Sequence, residues 1–314
     1  MASPDPRPQP PTERYIMQPE NNTVRVVDDP TRIAYIALAT FAPTAWQFST
    51  VTSEGPAAKL AEFPPRIAQH RRERATTLLT RAKQLGIRTI VPGDEEWPRQ
   101  IEDLNRDGGA IGAPLCFWVR GNHGLADTFR RSVMVTGAAG ATEYGKRLAR
   151  SIGYDLADGR HGWTVCNAGR FGIDAEAIKG ASLAIDRAPR NVMSPHGLDR
   201  PYPSSRSGVC DAVTAEGLFV SAFPPGFEAD RIARSRNLQY LAALTSATVV
   251  VESLIRSGCL TAARRAKAMG RPVMAIPGAV TAPESAGCHQ LISEGTARLV
   301  TCGPDITNAL PPLT

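Results

Sequence analysis

Short apolar segments alternate with longer amphipathic segments over the C-terminal part of the chain. At Leu148, Ile152 and Leu156, apolar residues recur every four positions, which is typical of one face of an α-helix. Between such stretches lie seven apolar segments that predict strands: Ser132–Thr136, Trp163–Cys166, Asn191–Ser194, Leu218–Ala222, Thr248–Glu252, Pro272–Ile276 and Arg298–Thr301. This alternation predicts an α/β domain with a doubly wound, mostly parallel sheet.

The pattern before residue 131 is different. The first residues are rich in Pro and polar side chains, which predicts a disordered arm. A helical pattern follows, and then a connector with two short strand-like pieces, Arg88–Val91 and Cys116–Arg120. We therefore predict an arm, a small N-terminal helical domain, a connector, the α/β domain and a tail, at residues 1–30, 31–85, 86–130, 131–305 and 306–314.

One stretch of the predicted helical domain carries a basic face. It runs from Arg66 to Leu85, and its charged residues include Arg71, Arg72, Glu73 and Arg74. Most such faces are the solvated side of a helix. Contact with a nucleic-acid backbone is the alternative, and the sequence leaves both interpretations open.

Positive charge is concentrated in the α/β part of the chain. The formal net charge is +6, and residues 131–314 hold 20 Lys and Arg against 15 Asp and Glu, a net of +5. This excess suits a polyanionic partner such as nucleic acid, although many basic proteins bind none.

The six cysteines form no Cys-x-x-Cys pair, and the five histidines are scattered, so we expect no metal site and no cofactor. No apolar run approaches the roughly 20 residues that a membrane helix needs. The Pro-rich start is not a secretion signal. We therefore expect a cytoplasmic protein with reduced thiols and no membrane partner.

Three turns at the ends of predicted strands favour anion binding. They are Gly137–Gly140, Gly169–Gly172 and Ser257–Gly258, after the first, second and fifth strands of the α/β domain. Such turns meet at the carboxyl edge of a parallel sheet. A helix that starts at Gly258 would present free N–H groups, and Arg256 beside it is a bidentate phosphate partner.

In the second turn, Arg170 supplies charge and Phe171 is a candidate for stacking on a base. The alternative is that Phe171 belongs to the core, and we expect Asp174 to cap the next helix in either case.

The turns do not match the common nucleotide-binding fingerprints. Thr136-Gly137-Ala138-Ala139-Gly140 is not Gly-x-Gly-x-x-Gly, and no acidic residue ends the second strand, which disfavours a nicotinamide or flavin enzyme. Gly140 to Lys146 nearly matches a P-loop, but Arg147 replaces the Ser or Thr that binds magnesium. ATP hydrolysis is therefore disfavoured as well.

Several short motifs in a fixed order resemble the DNA-processing protein A family (DprA, also called Smf). They are Thr142-Glu143-Tyr144-Gly145, Gly172-Ile173-Asp174, Gly197 to Pro203, Val249-Val250-Val251-Glu252, Arg256 to Ala262, Gly270-Arg271-Pro272-Val273, Ile276-Pro277-Gly278 and Ser285 to His289. The resemblance covers about residues 85–302 and implies a Rossmann-like domain.

The resemblance implies a binding protein rather than an enzyme. Members of that family bind and protect single-stranded DNA that enters the cell, help to load a RecA-type recombinase and form homodimers. The resemblance and the turns together predict DNA or phosphate contacts from ten residues: Gly137, Gly169, Arg170, Gly172, Lys179, Arg236, Asn237, Arg256, Ser257 and Gly258.

The chain departs from the family pattern at several of these positions. Gly137-Ala138-Ala139 stands where the family has Gly-Ser-Arg, and Leu238 follows Asn237 where the family has a second Arg. Ile178 replaces a His, and Cys259 replaces a Ser. Because these changes remove phosphate-binding groups, the alternative is a small-nucleotide-sensing protein with weakened DNA binding. A scaffold that acts only through a recombinase is a third possibility.

Overall fold

The computed structural model describes residues 29–41, 48–106, 111–159, 161–200, 213 and 215–310. The predicted arm lies outside these residues, except that Asp29 and Pro30 begin the first helix. The N-terminal part is helical, with α1 Asp29–Phe41, α2 Phe48–Glu54, α3 Pro56–Ala61 and α4 Pro65–Gln84. Helix α4 buries Ala68, Ala75, Leu79 and Ala82, and packs on α1. Their spacing gives α4 one apolar stripe.

Nine strands of the described part form one sheet. They are β1 Arg88–Ile90, β2 Phe117–Arg120, β3 Ser132–Thr136, β4 Thr164–Asn167, β5 Arg190–Ser194, β6 Gly217–Ser221, β7 Ala247–Val250, β8 Val273–Ala275 and β9 Arg298–Leu299. Their order in the sheet is β1-β2-β6-β5-β4-β3-β7-β8-β9, and β3 to β9 are parallel. All residues of β3 and β4 are buried, as expected of strands covered on both faces. The predicted α/β fold is confirmed.

The predicted connector is part of this sheet. Strand β1 pairs antiparallel with β2, and β2 pairs antiparallel with β6, where Val119 lies opposite Val220. A 3-10 helix, Arg99–Asn105, lies between the two strands. The sequence identifies both pieces as extended. Strand β2 joins the sheet through β6, whose residues lie about a hundred positions away, so the apolar pattern of the two pieces alone does not reveal the pairing.

Helices cover both faces of the sheet. They are α5 Leu125–Arg130, α6 Glu143–Ala157, α7 Ile173–Leu183, α8 Arg231–Leu244, α9 Gly258–Ala268, α10 Pro283–Ser293 and α11 Gly303–Thr307. Helix α6 packs on both α7 and α11, and α8 packs on α9. The strand order reverses between β3 and β7, and in such sheets ligands bind outside the carboxyl ends of the strands near this point. Within the described residues, no helix is long and apolar enough to span a membrane.

Candidate anion-binding site

A cavity of about 530 Å³ opens at the carboxyl ends of β4 and β5, against α8 and the start of α9. We call it the arginine cavity. Its lining comprises Ala168, Arg170, Pro195, Arg231, Arg234, Ser235, Asn237, Leu238, Ile255, Arg256, Ser257, Gly258, Thr261 and Arg264. Five of these residues are arginines and none is acidic. The wall therefore favours an anionic ligand.

The N-terminus of α9 adds backbone donors to this charge. Ser257 is the N-cap residue, and its Oγ accepts from the N–H of Cys259 at 3.3 Å. The N–H of Gly258, the first helical residue, has no hydrogen-bond partner among the residues that the structure describes. A free N–H at the positive end of a helix dipole binds anions, and Gly258 lines the cavity.

Two arginines occupy the N-terminal turn of α8, which is the wrong end of the helix for a cation. Arg231 is the first residue of α8, and Arg234 follows one turn later. Cations near a helix N-terminus oppose the helix dipole, typically at a cost of about 0.3–1 kcal/mol each. Since both arginines line the cavity, their charges add to the positive potential there instead of stabilising the helix.

The five arginines differ in how far their charge is compensated. Arg264 forms an ion pair with Glu294 at 2.8 Å, and Arg170 forms one with Asp174 at 2.9 Å. Arg231, Arg234 and Arg256 form no ion pair within the described part of the chain; Arg234 donates to the backbone oxygen of Ala229 at 3.2 Å. We call these three the unpaired arginines. They carry the uncompensated charge of the cavity.

Arg170 joins three elements beneath the cavity. Its Nε and Nη2 donate to the two carboxylate oxygens of Asp174, both at 2.9 Å. Nη2 also donates to Thr136 Oγ1 at 2.7 Å, to Gly137 O at 3.1 Å and to Cys259 Sγ at 3.3 Å. Burial opposes the charged form, but the carboxylate of Asp174 outweighs it and raises the pKa of Arg170 above its usual range. Arg170 thus stays charged and fixes the ends of β3 and β4 to α7 and α9.

Asp174 has a different role from the predicted helix cap. Gly172 is the N-cap residue of α7, and the fully buried carboxylate of Asp174 binds Arg170 and Thr136. The loop is stabilised further by Asn167, whose amide donates to the backbone oxygen of Asp174 at 2.8 Å and accepts from the N–H of Gly169 at 2.9 Å.

Half of the predicted contact residues line the cavity. Arg170, Asn237, Arg256, Ser257 and Gly258 come together there. Asn237 is only 1% exposed, and its Nδ2 donates to the backbone oxygen of Met193 at 2.7 Å, which ties α8 to the end of β5.

The structure gives Gly137 and Gly172 a packing role. A Cβ on Gly137 would lie 2.6 Å from the backbone oxygen of Glu252, and Ala138 donates its N–H to that same oxygen at 2.7 Å. Gly172 has φ of 71° and packs against Ala139, whose backbone oxygen would lie 2.5 Å from an added Cβ. Neither glycine lines the cavity. The close approach of backbone segments therefore explains both glycines without a ligand.

Four other predicted residues also lie outside the cavity lining. Gly169 turns the chain with φ of 67°. Lys179 is exposed on α7, which packs on α6 rather than on α8. Arg236 is half-buried on the side of α8 that bears Tyr240. Phe171 is 47% exposed, so it is not a core residue.

Three cavity arginines are absent from the predicted contacts: Arg231, Arg234 and Arg264. A signal for two of them exists in the sequence. Arg231, Arg234 and Leu238 recur at helical spacing and share a face with Asn237, whereas Arg236 points elsewhere. No comparable signal marks Arg264.

His196 holds the start of α8 in place. Its Nδ1 accepts from the N–H of Ala229 at 3.1 Å, and Ala229 O in turn accepts from Arg234. Burial and the nearby Arg234 lower the pKa of His196, so the neutral ring that accepts this hydrogen bond is favoured.

Within the described residues, no group of three or more His, Cys, Asp and Glu could hold a metal ion. Four of the five described cysteines are buried and all five are free thiols. Burial raises the pKa of Cys166 and of Cys288 to about 12, so both stay protonated at neutral pH. These thiols therefore belong to the core.

Comparison with known proteins gives one consistent result. The model of the family described as DNA recombination-mediator protein A matches residues 88–311. A putative DNA processing protein DprA of Mycobacterium tuberculosis is 34% identical over 293 residues, which covers 83% of this chain and 73% of that protein. A protein Smf of Synechocystis is 27% identical over 207 residues, covering 66% of this chain and 50% of that protein.

Two solved structures of DNA processing protein A share the fold of this chain. DNA processing protein A of Streptococcus pneumoniae superposes with a TM-score of 0.75 at 22% identity, covering 92% of this chain and 100% of that chain. DNA processing protein A of Helicobacter pylori, whose structure is described as giving insight into its single-stranded DNA binding mode, superposes with a TM-score of 0.60 at 22% identity, covering 71% of this chain and 94% of that chain. At this identity the structures support the fold alone. The family match confirms the resemblance predicted from the sequence.

Proposed function

The chain belongs to the DNA recombination-mediator protein A family, and on this premise we propose that the arginine cavity binds the phosphate backbone of single-stranded DNA. The Helicobacter pylori relative is described as binding single-stranded DNA. The cavity acts by binding and not by catalysis, since phosphate recognition needs only the charges and N–H groups that line it.

The observation that carries the proposal is the set of unpaired arginines beside the free N–H of Gly258. Guanidinium groups bind phosphate oxygens in a bidentate manner, and the α9 N-terminus adds a backbone donor. Because these groups contact phosphates, binding depends little on base sequence and falls as salt rises. Arg170 contributes mainly by holding the loops that shape the cavity.

The family membership extends the proposal to a wider role. The protein protects incoming single strands, assists in loading a RecA-type recombinase and works as a homodimer. Exposed apolar side chains support a protein partner here: Ile232, Leu254 and Ile255 lie beside the cavity and are 59%, 53% and 58% exposed. Apolar groups of this size at the rim of a charged site favour a protein interface. Light scattering tests the homodimer, and a pull-down with and without DNA tests the recombinase contact.

The direct experiment measures fluorescence anisotropy of a labelled oligothymidine at low salt. We expect the wild-type protein to bind, and the variant Arg231→Ala/Arg234→Ala/Arg256→Ala to bind at least roughly tenfold more weakly. Arg106→Ala/Arg130→Ala is the control, since neither residue lines the cavity. Arg130 precedes β3 at the amino ends of the parallel strands, and Arg106 follows the 3-10 helix whose Gln100 donates to Leu244 O, at the end of α8 remote from the cavity. No anisotropy change with the wild-type protein would contradict the proposal.

A small nucleotide is the second candidate ligand. The cavity volume of about 530 Å³ falls within the range of small-molecule sites, which favours this reading. Thermal-shift measurements with mononucleotides and with short oligothymidines separate the two. Stabilisation by a mononucleotide alone supports nucleotide sensing, and stabilisation that grows with strand length supports DNA binding.

A further inference from the structure

We propose that a single strand bound in the arginine cavity continues along the basic face of α4, so that the N-terminal helical domain forms a second part of the DNA-binding surface. This inference rests on the proposed function of the cavity. It concerns Arg66, His70, Arg74 and Arg81, which we call the α4 stripe. It goes beyond the cavity because these residues belong to a different part of the chain.

The residues of the stripe lie in a line along one side of α4. Arg66, His70 and Arg74 are four residues apart, and Arg81 follows after seven, so all four share one side of the helix. The opposite side holds the buried stripe of Ala68, Ala75, Leu79 and Ala82. At 1.5 Å per residue, the distance from Arg66 to Arg81 along the axis is about 22 Å, enough for several phosphates of an extended strand.

Basic residues strongly outnumber acidic residues in α4. The helix holds six Lys and Arg residues and one acidic residue, Glu73. Solvated helices usually mix charges of both signs, with acidic and basic residues paired four apart. In α4 the single carboxylate accepts from Gln69 at 2.9 Å. The excess of basic groups therefore gives α4 the electrostatic character of a surface that binds polyanions.

One end of the stripe contacts a segment that leads into the cavity. Arg81 Nη2 is 2.7 Å from the carboxylate of Asp199, which also accepts from the N–H of Gly226 at 2.7 Å. Asp199 is four residues beyond Pro195, which lines the cavity, so the two lie within about 15 Å. Gly226 precedes Arg231, another lining residue, by five positions. Arg81 therefore contacts the segments that lead into the cavity wall, at a distance that a few nucleotides of an extended strand can cover.

A buried ion pair fixes the helical domain to the sheet. Arg32 of α1 donates from Nη1 and Nη2 to the two carboxylate oxygens of Asp94, at 2.9 and 2.8 Å, and to the backbone oxygen of Thr89 in β1 at 2.6 Å. Both side chains of the pair are buried. Since α1 packs on α4, the stripe is held in a defined position relative to the cavity. Because the N-terminal helical domain is already held in place, a strand that contacts both surfaces does not have to order it on binding.

The experiment compares two oligothymidines, of about six and about thirty nucleotides, because a short strand fills one site and a long one spans both. Arg66→Ala/Arg74→Ala is the test variant, and Arg66→Lys/Arg74→Lys retains its charge. Arg106→Ala/Arg130→Ala removes the same charge at positions that belong neither to the cavity lining nor to α4. Thermal melting of each variant checks that it is folded.

We expect Arg66→Ala/Arg74→Ala to bind the short strand like the wild type and the long strand roughly tenfold more weakly. Its salt slope for the long strand falls by about 1.4, the loss of two phosphate contacts. The lysine variant restores both values. If Arg66→Ala/Arg74→Ala binds the long strand as tightly as the wild type, the α4 path is wrong. It is also wrong if Arg106→Ala/Arg130→Ala weakens binding of the long strand as much as Arg66→Ala/Arg74→Ala does. A wild-type protein that fails to bind the short strand contradicts the proposed function of the cavity instead.

Discussion

The guanidinium of Arg170 forms a two-point ion pair with Asp174, through Nε and Nη2 at 2.9 Å from the two carboxylate oxygens. Asp174 is fully buried, while the Arg170 side chain keeps a partly exposed edge at the cavity. The residue with the most obvious phosphate-binding chemistry in its loop is therefore also a structural residue. Under the proposed function we therefore expect Arg170 to contribute to DNA binding mainly through the shape of the cavity, and Arg256 to contribute by direct contact.

We expect Arg170→Ala to destabilise the fold by about 3–5 kcal/mol, because it leaves the buried Asp174 carboxylate without its partner. Arg256→Ala changes the free energy of unfolding by less than about 0.5 kcal/mol, since Arg256 is exposed and has no ion pair among the described residues. Urea unfolding measures both values. Equal stability of the two variants would contradict the structural role of Arg170.

Arg231→Ala is expected to weaken DNA binding and to leave the protein as stable as, or more stable than, the wild type. The substitution removes a cation from the first position of α8, where it opposes the helix dipole, which is typically worth about 0.3–1 kcal/mol. Thermal melting and fluorescence anisotropy on the same samples measure whether DNA affinity falls while stability is kept or rises. A loss of both stability and binding would mean that Arg231 has a structural role.

The N–H of Gly258 is open to a specific test. Proline is tolerated at the first helical position, and Ser257 has φ of −102° and ψ of 144°, which suits a following proline. Gly258→Pro therefore deletes the N–H and keeps the helix. We expect about 10- to 100-fold weaker DNA binding, the loss of one charge-assisted hydrogen bond.

Gly258→Ala is the matched control. Both variants place a Cβ 3.2 Å from Leu238 Cδ1, but alanine keeps the N–H. We expect the alanine variant to bind DNA like the wild type. Equal losses for the two variants would assign the effect to the Leu238 contact and not to the missing donor.

The stability of the protein should depend on pH through His196. Its pKa is lowered in the folded protein by burial and by Arg234, relative to 6.5 for an unperturbed histidine. Below about pH 6.5 the unfolded state takes up a proton that the folded state resists, so this contribution to stability is lost as the pH falls. His196→Asn removes the titration and keeps an acceptor for the Ala229 N–H. Thermal melting between about pH 7.5 and 5 should show a smaller decrease for the variant than for the wild type.

The parallel part of the fold could be predicted because its signal is local. All seven segments predicted as strands of the α/β domain occur, with ends that differ by one or two residues. Each is a short run of apolar residues between helices, and a parallel sheet buries such runs on both faces. The place of β1 and β2 in the same sheet could not be predicted, because Val119 pairs with Val220 through backbone hydrogen bonds that leave no trace in either segment.

The candidate site could be predicted only in part. Arg256 and Gly258 lie at the start of a helix, a local sequence signal for anion binding, and both line the cavity. Gly137 and Gly172 resemble ligand-binding glycines in the sequence, yet the approach of Glu252 and Ala139 requires them for packing. The sequence cannot distinguish these two causes, since both need a residue without a side chain. Arg264 escapes prediction because its helix face is defined only by the fold.

The salt dependence of binding tests the central claim most directly. For an oligothymidine of about six nucleotides, we predict that the slope of log K against log salt is less steep by about 2 in Arg231→Ala/Arg234→Ala/Arg256→Ala than in the wild type, because three phosphate contacts are lost. Equal slopes for the two proteins would contradict phosphate binding by these arginines.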